Sequence, residues 1–434
     1  MRGLTARNGG QIGLATLLVI LLLGLGLRVD NAWQGRAPVY DATAYATIAA
    51  NLEPGEGFTL GSGATQSANN YSPGLPLLAG GIYKLTGGVH ERFVRLVLAL
   101  IGSLAVLFAY LIGRRLSGPV AGLIGAAVVA VYPALLEYQG MFMSEPLAAS
   151  LLSGAVLAML WAGASGARAL SRRWLAPGLV LGALALTRPE YLAISLPIAV
   201  VVFARGGRDG WHECLLQAVI MLAGLALVVV PWTIRNEVAL GRFVPISTGG
   251  GQVLFAGSYM PSGGDPEQVG AEVLERHPEL RRELPPNPRL EQILAALARQ
   301  RYPDMESDAA LARMGRERLW DNVSEQPVEY AGFVASKLWL IWGHGPRDVM
   351  REPVWEGLHW LLVALGLLGL GVLAWRRRWE ALLLGVVLFA VTATGALLVA
   401  SPRRALVTIP VVAALAGVAT TWVVSSCTGL RRST

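Results

Sequence analysis

Residues 92–132 read RFVRLVLALIGSLAVLFAYLIGRRLSGPVAGLIGAAVVAVY. Two apolar runs meet here at Arg114-Arg115-Leu116-Ser117-Gly118-Pro119. A helix rises about 1.5 Å per residue, so about 20 apolar residues cross the hydrocarbon core of a bilayer. A helix at the surface of a soluble domain would show a polar face every turn; neither run does, and the only charges cluster at the ends and in the turn. The stretch therefore predicts a pair of membrane helices with two arginines at their connection.

Outward from this pair the same pattern recurs. Spans are expected near 11–27, 92–112, 119–136, 146–164, 174–187, 190–204, 214–232, 355–375, 380–400 and 405–426. The fifth and sixth are short and separated by Thr187-Arg188-Pro189-Glu190, as a broken or tightly turned pair would be. Of the 434 residues 54% are hydrophobic and 15% charged, against about 25% charged in soluble domains. The 51 glycines suit close packing of helices in lipid.

Arginines fix the expected sidedness, because short cytoplasmic loops concentrate Lys and Arg. Arg2 and Arg7 precede the first span. Arg114 and Arg115 follow the second, Arg168, Arg172 and Arg173 the fourth, and Arg205 and Arg208 the sixth. Arg376, Arg377 and Arg378 follow the eighth, and Arg431 and Arg432 the tenth. Ten spans with both termini in the cytoplasm satisfy this alternation, and a cleaved signal peptide is the alternative for the first. The net charge of +7 is thus accounted for by membrane orientation, and no nucleic-acid motif accompanies it. Cys214 and Cys427 both fall at cytoplasmic ends of spans, where a disulfide is not expected.

Three parts follow: an N-terminal transmembrane module over 1–232 with a first outer loop at 28–91, an extracytoplasmic cap over 233–354, and C-terminal transmembrane helices over 355–434. The cap holds 17 of the 29 acidic residues with a similar number of basic ones, so it is soluble and of mixed charge. Helices are expected within it at 290–300 and 308–320. Val328–Trp342 is too short to span and reads as an interfacial helix anchored by Trp339 and Trp342. Pro73–Leu85 has the same character.

Ionisable residues at a membrane surface are costly and each calls for a reason. Asp41, Glu53, Glu145, Arg188, Glu190, Arg235, Arg403 and Arg404 all fall at outer loops or outer ends of spans. Asp41 opens a helix running to Leu52, where it serves as an N-cap or as a general base for a hydroxyl; Tyr45 follows one turn later. Glu145 opens a span and is either a first-turn acid or a second functional carboxylate that orients substrate or holds a cation. The four arginines snorkel, pair with acids, or clamp a phosphate. Ser247-Thr248-Gly249-Gly250-Gly251 is a turn or a phosphate-binding nest. The chain contains no GxxxxGK[ST], no GxSxG and no HExxH, which removes support for ATP-driven transport and zinc hydrolysis. Asn322-Val323-Ser324 is a glycosylation sequon in spelling alone.

The first loop reads Asp41-x-x-x-Tyr45, Ala49-x-Asn51-Leu52, Gly55-x-Gly57-Phe58 and Ser72-Pro73-Gly74-x-Pro76-Leu77. Then come Gly113-Arg114-Arg115-Leu116-x-Gly118, Ser144-Glu145-Pro146, Leu186-Thr187-Arg188-Pro189-Glu190, and Pro231-Trp232-x-x-Arg235-Asn236 with Gly241-x-Phe243. In this order the motifs resemble the GT-C superfamily of membrane glycosyltransferases, in the glycosyltransferase family 39 branch of protein mannosyltransferases and aminoarabinose transferases. The resemblance covers about residues 10–260 and returns loosely at 400–415. It implies an all-α polytopic membrane protein with outer-face interfacial helices and a periplasmic cap.

It also implies a transferase that takes a sugar from a polyprenyl-phosphate donor. Asp41 matches the family's first-loop catalytic aspartate, and Glu145 its second outer acid. Tyr45, Arg188, Glu190, Arg235, Asn236, Arg403 and Arg404 are the expected substrate-binding residues. Ala42 stands where some relatives carry a second acid, and Pro402-Arg403-Arg404 where relatives show Tyr-Arg before a proline. No metal ligands are assigned, although the chemistry leaves room for a divalent cation. The expected partners are the donor lipid, the bilayer and an acceptor that is a glycan, a lipid or a protein. The expected location is a bacterial cytoplasmic membrane with the site facing outward. The rival functions are a flippase or transporter of a lipid-linked sugar and a polysaccharide polymerase or ligase.

Overall fold

The computed structural model describes residues 2–38, 41–61, 66–164, 171–207, 210–263, 265 and 268–428, with residues 2–12, 66 and 171 described as backbone only. Arg168, Arg208, Arg431 and Arg432, and the side chains of Arg2 and Arg7, lie outside the described residues. The protein is a multi-pass, all-α membrane protein. Along the chain run α1 (Arg2–Gln34), α2 (Asp41–Leu52), α3 (Gly74–Thr86), α4 (Glu91–Ser117), α5 (Pro119–Val131), α6 (Pro133–Glu137) and α7 (Glu145–Gly163). These are followed by α8 (Leu175–Thr187), α9 (Glu190–Ala204), α10 (Trp211–Leu240), α11 (Gly250–Ser258), α12 (Val269–Arg276) and α13 (Leu290–Arg301). The chain closes with α14 (Ser307–Glu325), α15 (Pro327–Trp342), α16 (Pro353–Trp375), α17 (Trp379–Leu397), α18 (Pro402–Leu406) and α19 (Ile409–Cys427). In the first loop, β1 (Thr59–Leu60) and β2 (Gln66–Ser67) pair antiparallel, Thr59 opposite Ser67.

Each expected span coincides with helix, but not all ten qualify as single spans by length and composition. Among the described residues seven helices are long and apolar enough to cross a membrane singly, and α5 with the helical stretch 133–140, bent by 54°, is a broken span or a re-entrant pair. With 13 and 15 residues, α8 and α9 rise only roughly 20 Å each, short of the ~30 Å core. Pro189 is the cause of the break: it restricts Arg188 to an extended backbone (ψ 101°) and forces the helix to end.

The bend between α5 and α6 has an equally local cause and a distant remedy. Pro133 has no N–H, so carbonyls at the end of α5 lose their helical donors. Arg28, only 1% exposed within α1, supplies the donors: its Nη2 bonds the Val129 carbonyl at 2.8 Å, and its Nη1 bonds Ala130 at 3.2 Å and Gly24 at 3.0 Å. Arg28→Met is expected to lower the unfolding temperature in detergent, since each orphaned buried polar group costs about 1–3 kcal/mol. An unchanged unfolding temperature would remove Arg28 from this role.

The chain divides into two compact units, residues 1–246 with 347–388 and 406–434, and residues 247–346 with 389–405. In the first, helices approach to backbone contact: a Cβ at Gly417 of α19 would meet the Ala121 carbonyl of α5, and one at Gly369 of α16 the Leu415 carbonyl of α19. These are the close small-residue contacts that bundles in lipid use. Cys214 and Cys427 are both free thiols.

In the second unit Phe255, Val273, Ile293, Leu294, Leu297 and Leu311 form a core from α11, α12, α13 and α14. Helices appear where expected at 290–300, 308–320 and 328–342. Trp339 is exposed as an interfacial anchor should be, whereas Trp342 is turned inward and donates its indole N–H to Thr392 Oγ1 at 3.1 Å. The Asn322 amide is buried and bonded to the Ser258 carbonyl at 2.8 Å, so this sequon does not present an acceptor nitrogen. Lys337 is buried with its ammonium 2.8 Å from the Gly257 carbonyl; burial, with the neighbouring Arg404 charge, lowers its pKa to about 8.

Candidate active site

The site in the first unit is built on the first loop. Asp41 is the first residue of α2, partly buried, where a carboxylate complements the helix dipole. Four residues on, Tyr45 is buried with its ring edge-on to Tyr71 at 5.9 Å and 77°. Tyr71 belongs to the segment 69–74 that leads into α3 and is tied back by its own N–H to the Ala68 carbonyl at 2.9 Å. At the end of this segment Gly74 lies against α8: a Cβ there would be 2.8 Å from the Thr187 Cα. The Ser72-Pro73-Gly74 motif is thus a matter of close approach, and Gly74 brings the loop beside the residue preceding Arg188.

Arg188 is held from two sides. Its Nη2 is 3.0 Å from Glu145 Oε1 and its Nη1 is 3.4 Å from Glu190 Oε1. Glu145 is 0% exposed and Arg188 11%, so this is a buried ion pair with a second carboxylate beside it. Of the roles open to Glu145, burial favours fixing the guanidinium over contact with a mobile ligand. Removing one partner of a buried pair costs about 3–5 kcal/mol. Glu145→Ala is therefore expected to lower the unfolding temperature clearly more than Glu190→Ala, whose carboxylate is the more exposed. Equal small shifts would show that the pair does not hold α7 to α8.

Arg235 differs. It lies in the last turns of α10, after Pro231. Its Nη1 donates to Asn69 Oδ1 at 2.5 Å and to Asn236 Oδ1 at 3.1 Å. Its guanidinium is 4.9 Å from the Trp232 ring and 5.6 Å from Phe58. The surroundings are themselves pinned: Asn236 Nδ2 donates to the Val244 and Ile246 carbonyls at 3.0 and 2.9 Å, and Trp232 Nε1 to Ile246 at 2.8 Å. Among the described residues no carboxylate lies within ion-pair distance of Arg235. Neutral amides and aromatic faces orient the fork but leave its charge uncompensated, the condition an anion-binding arginine needs.

Segment 69–74 therefore joins two charged groups, through Asn69 to Arg235 and through Gly74 to the Arg188 helix end. Asp41, Tyr45, Glu145, Arg188, Glu190, Arg235 and Asn236 all belong to the first unit. Arg403 and Arg404 belong to the second, where Arg404 Nε donates to the Val399 carbonyl at 2.9 Å. Just past Ser247–Gly251, at the head of α11, the Gln252 N–H donates to Asp308 Oδ1 at 3.2 Å. Among the described residues no three His, Cys, Asp or Glu side chains gather as a cation site.

Glu137, at the end of α6, escaped notice in the sequence. It receives Arg36 Nη2 and Arg347 Nε, each at 2.9 Å, and so anchors the strand of chain that leads into Asp41. Arg347 accepts a left-handed backbone (φ 85°) to reach it. A lone glutamate after a 17-residue apolar run was the available signal.

Residues 70–234 match the family model of dolichyl-phosphate-mannose-protein mannosyltransferase. Among solved structures, the oligosaccharyltransferase AglB from Archaeoglobus fulgidus, in complex with an inhibitory peptide and a dolichol-phosphate, superposes with a TM-score of 0.60 at 19% identity, over 96% of this chain and 51% of that one. The chain has a GT-C fold. An Archaeoglobus fulgidus oligosaccharyltransferase in the apo form aligns with TM-score 0.58, 17% identity, 96% of this chain and 51% of that one. A looser alignment, TM-score 0.45 and 15% identity over 95% and 79% of the two chains, is to ArnT from Cupriavidus metallidurans bound to undecaprenyl phosphate. The chain spans about half the length of the archaeal oligosaccharyltransferases it matches. No curated protein sequence matches it. Within this GT-C chain the family-model segment holds Glu145, Arg188 and Glu190 and stops one residue before Arg235; Asp41, Tyr45, Asn236, Arg403 and Arg404 lie outside it.

Proposed function

We propose that the protein is a membrane glycosyltransferase that moves a sugar from a polyprenyl-phosphate donor to an acceptor hydroxyl. The observation that carries this reading is Arg235: a guanidinium oriented by Asn69, Asn236, Trp232 and Phe58, without a carboxylate, near the end of a membrane-crossing helix. Such a group suits a phosphate that reaches it from the lipid phase.

In this mechanism the prenyl chain lies among the spans and the donor phosphate meets Arg235. Asp41 takes the proton of the acceptor hydroxyl as its oxygen bonds to the anomeric carbon. The bond from that carbon to the phosphate oxygen breaks, and polyprenyl phosphate departs with its charge stabilised by arginine. A single displacement inverts the anomeric centre, as single-step attack does in glycoside chemistry. Tyr45 shapes the floor beside Asp41, and Glu145 and Glu190 keep Arg188 in place. In this reading both termini lie in the cytoplasm of a bacterium and the site lies on the outer face of its inner membrane, an orientation that the arginine distribution supports.

The test is release of free polyprenyl phosphate from a panel of polyprenyl-phosphate sugars by the purified protein in nanodiscs, supplied with envelope glycans, lipids and peptides as acceptors. Arg235-dependent release supports a transferase. Donor binding without consumption under every acceptor would overturn it in favour of a lipid-linked-sugar flippase.

A further inference from the structure

The second unit contains a cleft of about 500 Å³ that none of the chemistry above uses. Its size falls within the roughly 300–1,000 Å³ of small-molecule sites. Its apolar lining comes from Val273 of α12, Leu297 of α13 and Met314 of α14. Its other lining residues are Arg301, Arg318, His277, Glu279, Gln300 and Tyr259.

Two features single it out. First, Arg318 is half-buried with its guanidinium 4.7 Å from the Tyr259 ring and 5.3 Å from Phe255, and among the described residues it makes no ion pair. Asp321, one turn along α14, acts on it only at longer range, and Arg276 opposes it. Arg301, the second cation of the cleft, is seated on the Tyr302 ring at 5.9 Å. Second, the rim carries a preformed hydrogen-bonding group: Glu279 Oε1 accepts from Gln300 Nε2 at 3.2 Å and lies 3.3 Å from His277 Nδ1. An anion alone would find no use for Glu279. A molecule bearing both an anionic group and hydroxyls would, because hydroxyls donate to carboxylates and accept from amides.

We propose that this cleft binds an acidic sugar, its anionic group on Arg318 and Arg301, its hydroxyls on Glu279, Gln300 and His277, and its C–H face on Leu297 and Met314. In the transferase reading this sugar belongs to the acceptor, and that step alone rests on the proposed function. A peptide with acidic side chains would satisfy the arginines but leave the carboxylate of Glu279 facing like charge.

The experiment uses the full-length protein in nanodiscs and two probes, a galacturonic acid trisaccharide and neutral maltotriose, with binding followed by calorimetry. The acidic trisaccharide is expected to bind at least tenfold tighter than the neutral one and to weaken as salt rises. Arg318→Gln is expected to lose at least tenfold, Arg318→Lys less, with helix content unchanged by circular dichroism. Equal binding of the two probes, binding indifferent to Arg318→Gln, no binding of either, or equal binding of an aspartate-rich peptide would each overturn the proposal. Its failure is separable from that of the transferase reading. If donor is never consumed but Arg318-dependent binding persists, the cleft stands and the transferase does not; if donor is consumed without such binding, the reverse holds.

Discussion

Asp41→Asn is expected to lower release of polyprenyl phosphate by about 10²–10⁴-fold, the usual worth of a general base, while the unfolding temperature stays within the scatter of the wild type. The pairing of these two readouts separates the two roles open to this residue. Asp41 heads α2, and an aspartate in that place can be an N-terminal capping group and nothing more. Asparagine caps a helix about as well as aspartate does, so the substitution keeps a cap and removes the basic oxygen. A variant that is stable and slow identifies a base. Near-normal turnover would sink that assignment, and a loss of stability matched by an equal loss of turnover would return Asp41 to a structural role. Loss of the helix-dipole interaction costs only about 0.3–1 kcal/mol, too little to mimic the expected rate effect.

Arg235→Gln is expected to reduce kcat/KM for the donor by about 10²–10³-fold, the cost of removing one group that stabilises developing charge. Glutamine keeps the methylene stem of the arginine and a polar end, but ends short of the Nη1 position that bonds Asn69 and carries no charge over Phe58 and Trp232. Arg235→Lys restores charge without the planar fork and is expected to recover part of the activity. The contrast is Arg188→Gln, which leaves two carboxylates, Glu145 and Glu190, without their shared cation and is expected to fail in stability before it fails in chemistry. Wild-type kcat/KM in Arg235→Gln would take the phosphate away from α10 altogether.

Most of the helical framework was legible because its causes are local. Apolar run length located the spans, and the short apolar segment after Ser72-Pro73 located α3. The 3.6-residue pattern located α13 and α14 in the cap. The break at Arg188-Pro189 was also visible, since proline acts on its own neighbours, but the length each half would reach was not. Candidate residues were found by one rule, an ionisable group at an outer span end. That rule cannot tell Arg188 from Arg235. One is matched by Glu145, 43 positions earlier, and the other by Asn69, 166 positions earlier. Asp308 at the head of α11 and Arg347 on Glu137 were hidden for the same reason: the contacts run across 56 and 210 positions. Charge type is written in the local sequence, but whether a charge is spent internally or kept for a ligand is decided by tertiary contacts.

Arg28 also bears on how the protein is made. Arg28 lies inside the apolar stretch of α1, nearer its outer end than its centre, and a charge there is a cost to a newly inserting helix; the carbonyls that relieve it belong to residues 101 and 102 positions further on. At about 5–20 residues per second, α1 waits roughly 5–20 s beside the translocation machinery before α5 is synthesised. During that interval the guanidinium must be tolerated by snorkelling or by water, and α1 remains a weakly committed guest of the bilayer. α4 packs on α1 first, with Arg95 Nε donating to the Ala32 carbonyl at 3.2 Å, and the arrival of α5 then gives the Arg28 guanidinium its distant carbonyl partners. The first helix is thereby completed only when a later one arrives.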